Sequence, residues 1–150
     1  MKICYIADMK KFGLTNEQRQ EIVSLMRSRG AVVGYLFGSY ARGTAGPLSD
    51  IDVGVAFPRA MPRDVQESRV EEIRNGLERK FGGRDKADVI NVSVSKNPLL
   101  RYIITLGEGL VLFTDDESLR NGLADYARRD YEDTKPLRAI QRQALTGLFA

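Results

Sequence analysis

Apolar residues along this chain alternate between two spacings, and the switches between them divide it into helices and strands. Thr15 and Gln18 have the form of a capping box, Ile22, Leu25 and Met26 mark one face, and Gly30 offers a stop, so a first helix is predicted here. Ala31 to Phe37 is β-rich and ends abruptly at Gly38-Ser39. Ile51 to Phe57 alternates Ile, Val, Val and Phe against Asp52, Gly54 and Ala56, the two-residue period of a strand, and is expected to neighbour the first strand. From Asp64, Val70, Ile73, Leu77 and Phe81 recur at helical spacing until Gly82-Gly83 breaks the pattern before a third strand, Ala87 to Val94. Asn97 as a cap and Pro98 at the first helical position open a helix running to Leu106, followed by a short strand, Leu110 to Phe113. A helix from about Glu117 to Tyr131 and another starting at Pro136, with Leu137, Ile140, Ala144, Leu145 and Leu148 on one face, complete the pattern. The expected architecture is a mixed α/β (α+β) domain over 1–150, with 117–150 as a helical extension.

Composition narrows the chemistry. At 150 residues, 43% hydrophobic and 29% charged, the chain can bury one real core, and it contains no apolar run near the roughly 20 residues that span a bilayer. Met1 to Asp8 is apolar but short and soon followed by Lys10 and Lys11, so it is expected to belong to the fold rather than to a secretory signal. With the single Cys4 unable to form an internal disulfide, a cytoplasmic protein is expected. A net charge of +3, with basic residues scattered among acidic ones, permits nucleic-acid binding without indicating it. The absence of histidine has a sharper consequence: no imidazole base, no His metal ligand and no Ser/His triad is available. Acid–base and metal chemistry must therefore rest on carboxylates, which suit hard cations such as magnesium.

The stretch from Gly38 to Asp52, GSYARGTAGPLSDID, concentrates the candidate chemistry. A Gly-Ser pair leaving a strand for a helical turn can offer N–H groups and a hydroxyl to phosphate oxygens, and Arg42 can add charge-assisted bonds. Gly43, Gly46 and Pro47 supply a tight loop back to the next strand, where Asp50 and Asp52 share one face. Two carboxylates so close repel unless a cation sits between them. Gly54 and Ala56 continue that face and are expected to leave room for a ligand. An Asp-x-Asp pair alone is weak, since eleven aspartates in this chain give about one by chance; joined to strand, Gly-Ser and loop, it points to a site.

Gly38-Ser39, ten residues, then Asp50-Ile51-Asp52, with Arg42-Gly43 and Ser49 between, resembles the signature of the DNA polymerase β-like nucleotidyltransferases, specifically their minimal (MNT) members. The resemblance covers about Val32 to Phe113. It implies a third metal-binding aspartate at the start of a later strand, and Asp88-Val89-Ile90-Asn91-Val92 is similar to that segment, with Asp85 as the competitor. Alternation places Asp88 with Ile90, Val92 and Val94, opposite Asn91 and Ser93, so its carboxylate reaches the cleft only if the strand begins there.

The resemblance further implies that Asp50, Asp52 and Asp88 are catalytic and hold two Mg2+ ions, and that Gly38, Ser39, Arg42 and Ser49 bind the nucleotide, with ATP as substrate. Stand-alone MNT proteins of this length resemble antitoxins that transfer AMP to a tyrosine of a HEPN ribonuclease toxin, which implies a HEPN partner in a hetero-oligomer and no nucleic acid as direct substrate. The alternatives are an aminoglycoside-type small-molecule nucleotidyltransferase and an antitoxin that neutralises by binding alone.

Overall fold

In a computed structural model of the chain, residues 13–83 and 86–148 are described; the apolar segment Met1 to Asp8, Cys4 and Asp85 lie outside them. Ten elements follow in the order α1 (Asn16–Ser28), β1 (Val33–Phe37), α2 (Gly38–Arg42), β2 (Ile51–Ala56), α3 (Arg63–Lys80), β3 (Ala87–Asn91), α4 (Pro98–Thr105), β4 (Leu110–Thr114), α5 (Glu117–Asp133) and α6 (Lys135–Leu148). The local signals read from the sequence set most of these boundaries. Thr15 and Gln18 form the capping box of α1, Gly30 follows its C-cap with φ 90°, and Asn97 caps α4 by accepting from the Leu100 N–H at 3.1 Å. The third strand is shorter than expected: β3 stops at Asn91, whose side-chain oxygen accepts from the Ser93 N–H at 3.1 Å and turns the chain.

The strands form one mixed sheet in the order β3-β2-β1-β4. β1 runs antiparallel to both neighbours, whereas β2 and β3 are parallel and joined by α3 as a crossover. Each face of the sheet carries a core. On one, Ile22, Val23 and Met26 of α1 and Ile73 and Leu77 of α3 pack on Leu36, Ile51, Val53, Val55 and Leu112. On the other, Ile104 of α4 and Leu119 of α5 cover Val33, Tyr35, Phe37, Ala56 and Val92. α5 is further tied to α4 by an Arg101–Asp130 ion pair at 3.1 Å and by stacking of Tyr102 on Tyr131 at 4.1 Å.

The pairing of β1 with β4 contains a bulge. Gly34 faces Phe113 and Tyr35 faces Val111, so Leu112 is an extra residue and turns to the same core as Phe113. Arg19, buried in α1, donates to the Leu112 carbonyl at 3.3 Å. A Cβ at Gly34 would sit 2.5 Å from the Phe113 ring and 2.7 Å from Met26 Sδ, so the bulge and the packing of α1 both depend on this glycine. Gly34→Val is therefore expected to destabilise the protein by roughly 1–3 kcal/mol, the usual cost of overpacking, as a lower urea midpoint; an unchanged midpoint would show that this contact yields freely.

Candidate functional site

Strand direction creates the site. β1 runs toward one end of the sheet and β2 and β3 start there, so three strand termini meet at Gly38, Asp52 and Asp88. Phe37 is extended (φ −138°, ψ −174°), and Gly38 then turns to φ 72° and opens α2. No side chain is tolerated at position 38 for two reasons: the left-handed backbone conformation, and a Cβ that would lie 2.1 Å from Asp52 Oδ2. The Asp52 carboxylate thus packs directly against the backbone at the Gly-Ser corner.

The loop that follows is held by local bonds. Gly43, at φ 75°, ends α2 and donates its N–H to the Ser39 carbonyl, which also accepts from the Thr44 N–H at 3.0 Å. Ser49 accepts from the Gly46 N–H at 2.8 Å through its hydroxyl and donates its own N–H to the Gly46 carbonyl at 3.1 Å. Its side chain therefore closes the loop. Asp50 lies just before β2 and is exposed; its carboxylate faces Lys86 Nζ at 3.9 Å, and Lys86 also donates to the Leu48 carbonyl at 3.4 Å. Lys86 thus lies beside Asp50.

Asp88 is the second residue of β3 and sits in parallel register with Asp52. Parallel register places both side chains on one face, so the strand starts early enough for Asp88 to join the cleft, while Asn91 on the other face donates to Gln66 of α3 at 2.8 Å. Of Asp50, Asp52 and Asp88, Asp52 is the one drawn into the fold. Burial, then the charges of Asp88 and Asp50, push its carboxyl up from 3.8 to about 6, with Arg42 opposing and Glu108 reinforcing the shift.

Arg42, at the C-terminal end of α2, is exposed and paired with Glu108 at 2.9 Å. Glu108 was invisible from sequence: it lies 66 positions away in the turn between α4 and β4, and no periodicity or motif marks it. The expected ligand space beside Gly54 and Ala56 is absent. Both are buried, and a Cβ at Gly54 would lie 3.0 Å from Ile104 and from Val92. α4 covers this face immediately beyond Asp52, so the open part is confined to the sheet edge that carries Asp52 and Asp88.

Among the described residues no three carboxylates, Cys or His converge on one point. The donor chemistry still fits a hard divalent cation. Asp50 and Asp88 are exposed, and Asp52 sits beside their like charges, which a cation would offset.

The same electrostatics fixes a stability signature. Because the folded-state value of Asp52 is raised, the group favours the folded state below its ordinary value of 3.8, and that contribution is lost as pH rises through about 6. In EDTA, Asp52→Asn should therefore gain stability relative to the unsubstituted protein as pH rises from 4 to 8, followed by urea denaturation. A difference independent of pH would contradict the account of Asp52.

Comparison with known proteins adds a family and a fold. The family model described as polymerase beta, nucleotidyltransferase matches residues 20–118. The fold is shared with a chain of a toxin-antitoxin crystal structure with AMP-PNP, at TM-score 0.64 and 19% identity over 88% of this chain and 98% of that one. A chain of tri-AMPylated Shewanella oneidensis HEPN toxin in complex with MNT antitoxin superposes at TM-score 0.58 and 17% identity, over 95% of this chain and 100% of that one. A chain of the MntA-HepT toxin-antitoxin superposes at TM-score 0.59 and 16% identity, covering 91% and 100%. Among curated proteins none matches the chain.

Proposed function

The chain belongs to the polymerase β nucleotidyltransferase family, and on that premise we propose that it is the antitoxin of a toxin-antitoxin pair, transferring AMP from ATP to a tyrosine of a cognate HEPN ribonuclease and thereby neutralising it. The observation that carries the reading is Asp52, wedged between the Gly38 corner and Asp88 with its carboxyl pushed up to about 6. The full-length likeness of fold to chains from complexes named as HEPN toxin with MNT antitoxin supports the choice of partner. Residues 1–150 are read as one catalytic unit, with 117–150 as its helical extension, acting in the cytoplasm. Among the described residues no helix is long and apolar enough to cross a membrane.

In this reading Gly38 and Ser39 hold the β and γ phosphates, where the glycine lets the backbone approach and the serine offers its hydroxyl. Asp50, Asp52 and Asp88 would hold magnesium, which when bound supplies charge screening for the attacking and leaving oxygens. The tyrosine hydroxyl forms a bond to the α-phosphorus, the bond to pyrophosphate breaks, and Asp88 takes the hydroxyl proton. Arg42 must leave Glu108 to reach a phosphate, and their mutual exposure makes that exchange inexpensive. Ser49, whose hydroxyl closes the loop by accepting from the Gly46 N–H, completes the nucleotide-binding set. α6 supports a protein partner, since Leu137, Ile140 and Leu145 are about 60% exposed on it, at 60%, 62% and 57%.

The test is the intact mass of a co-expressed HEPN partner after incubation with ATP and magnesium. The unsubstituted protein should add mass in AMP units, and Asp52→Asn should abolish the addition while remaining folded. No gain with either protein would turn the reading to a small-molecule acceptor or to neutralisation by binding alone; a gain that survives Asp52→Asn would remove this site from the chemistry.

A further inference from the structure

The opposite end of the sheet holds a second cavity. It measures about 510 Å³ and lies beyond the C-terminal ends of β2 and β3, lined in part by Arg59, Ser93, Arg101, Gly122, Tyr126 and Arg129. Asp52 and Phe57, near the two ends of β2, are five residues apart, about 17 Å along an extended strand, so the cavity is separate from the aspartate cluster.

Its wall is unusually basic and incompletely satisfied. Arg101 is buried, its side chain only 7% exposed; it pairs with Asp130 at 3.1 Å and stacks over the Tyr126 ring at 4.6 Å, yet its buried Nε finds no hydrogen-bond partner. The buried Ser93 hydroxyl is unpartnered as well. Both are buried polar groups without the hydrogen bond that such groups normally make, in residues that line the cavity. Arg59 and Arg129 are exposed and, among the described residues, have no ion-pair partner. The other charge on the wall, Asp125, is paired with Arg128 at 3.3 Å.

Gly122 adds an independent sign. It sits inside α5, where glycine is less favourable than alanine, and a Cβ there would lie 3.6 Å from the Arg59 guanidinium. A longer side chain would project toward Arg59 and take up part of the cavity. With Arg101 matched by Asp130 and Asp125 by Arg128, two positive charges remain unmatched, those of Arg59 and Arg129. The occupant of matching charge is a dianion with several oxygens, since a carboxylate carries one charge and only two oxygens, whereas a phosphate offers enough oxygens for more than one guanidinium fork.

We propose that this cavity is a second ligand site that binds a phosphate group, free or carried on a small molecule such as a nucleoside monophosphate, through Arg59, Arg129, Arg101 and Ser93. The site does not rest on the nucleotidyl-transfer reading, and its test is arranged to be independent of it. Full-length protein carrying Asp52→Asn, in EDTA at pH 8, is titrated calorimetrically with inorganic phosphate, AMP and acetate. Phosphate or AMP should bind saturably at one site. Arg59→Gln with Arg129→Gln should weaken that binding at least tenfold, and Gly122→Leu should remove it, with circular dichroism confirming that both variants fold. Tighter AMP than phosphate would identify a nucleotide occupant, and equal affinity the free anion. Absence of saturable binding, binding unchanged by the arginine pair, or acetate bound as tightly as phosphate would overturn the proposal.

Discussion

The contact between the Asp52 carboxylate and the bare backbone of Gly38 is the constraint around which this end of the molecule is arranged. One carboxylate oxygen occupies the volume in which any Cβ at position 38 would have to lie. That contact requires β1 and β2 to be antiparallel neighbours with Phe37 opposite Asp52, and the chain to leave β1 in a left-handed turn. Parallel pairing of β3 on the far side of β2 then sets Asp88 beside the same carboxylate. Three ordinary features of sheet geometry thus concentrate negative charge where the Gly-Ser corner exposes backbone, and the raised Asp52 value follows from burial and like charges together.

The two cores keep that arrangement rigid. α1 and α3 seal one face of the sheet and α4 and α5 the other, and Ile104 packs so close to Gly54 that the second face is closed one step beyond Asp52. The edge that carries Asp52 and Asp88 is therefore open, while the two cores directly behind it are buried. Around that edge sit exposed charges in exchangeable pairs, Lys86 with Asp50 and Arg42 with Glu108. Such pairs contribute little to stability, so these side chains are easily redirected. At the far end of the sheet the unmatched arginines and the helix glycine of α5 mark a cavity whose chemistry is the inverse, basic where the first site is acidic.

Much of this was legible in the sequence, and for identifiable reasons. Helix signals are local: the Thr15 and Asn97 caps and Gly30 act within a few residues of themselves, so α1 and α4 follow from them. The Asp50-x-Asp52 spacing and the turn at Gly38-Ser39 are equally local. Whether Asp88 would face the cleft depended on where β3 starts and on its register with β2, and period alone could not fix either. The space expected beside Gly54 failed for a related reason, because a small residue on a strand signals either a ligand or an approaching helix, and here α4 approaches. Glu108, Lys86 beside Asp50, and the convergence of Arg59, Arg101 and Arg129 are products of tertiary packing between distant segments.

The proposed function requires Gly38, Ser39 and the aspartates to form one nucleotide and metal site. It is tested most directly by a crystal structure with a non-hydrolysable ATP analogue and manganese, located by its anomalous signal. The account predicts the triphosphate against the Gly38-Ser39 corner, manganese bonded to Asp50 and Asp52, and Lys86 displaced from Asp50. Nucleotide bound elsewhere, or these carboxylates without a cation beside a well-ordered nucleotide, would contradict it.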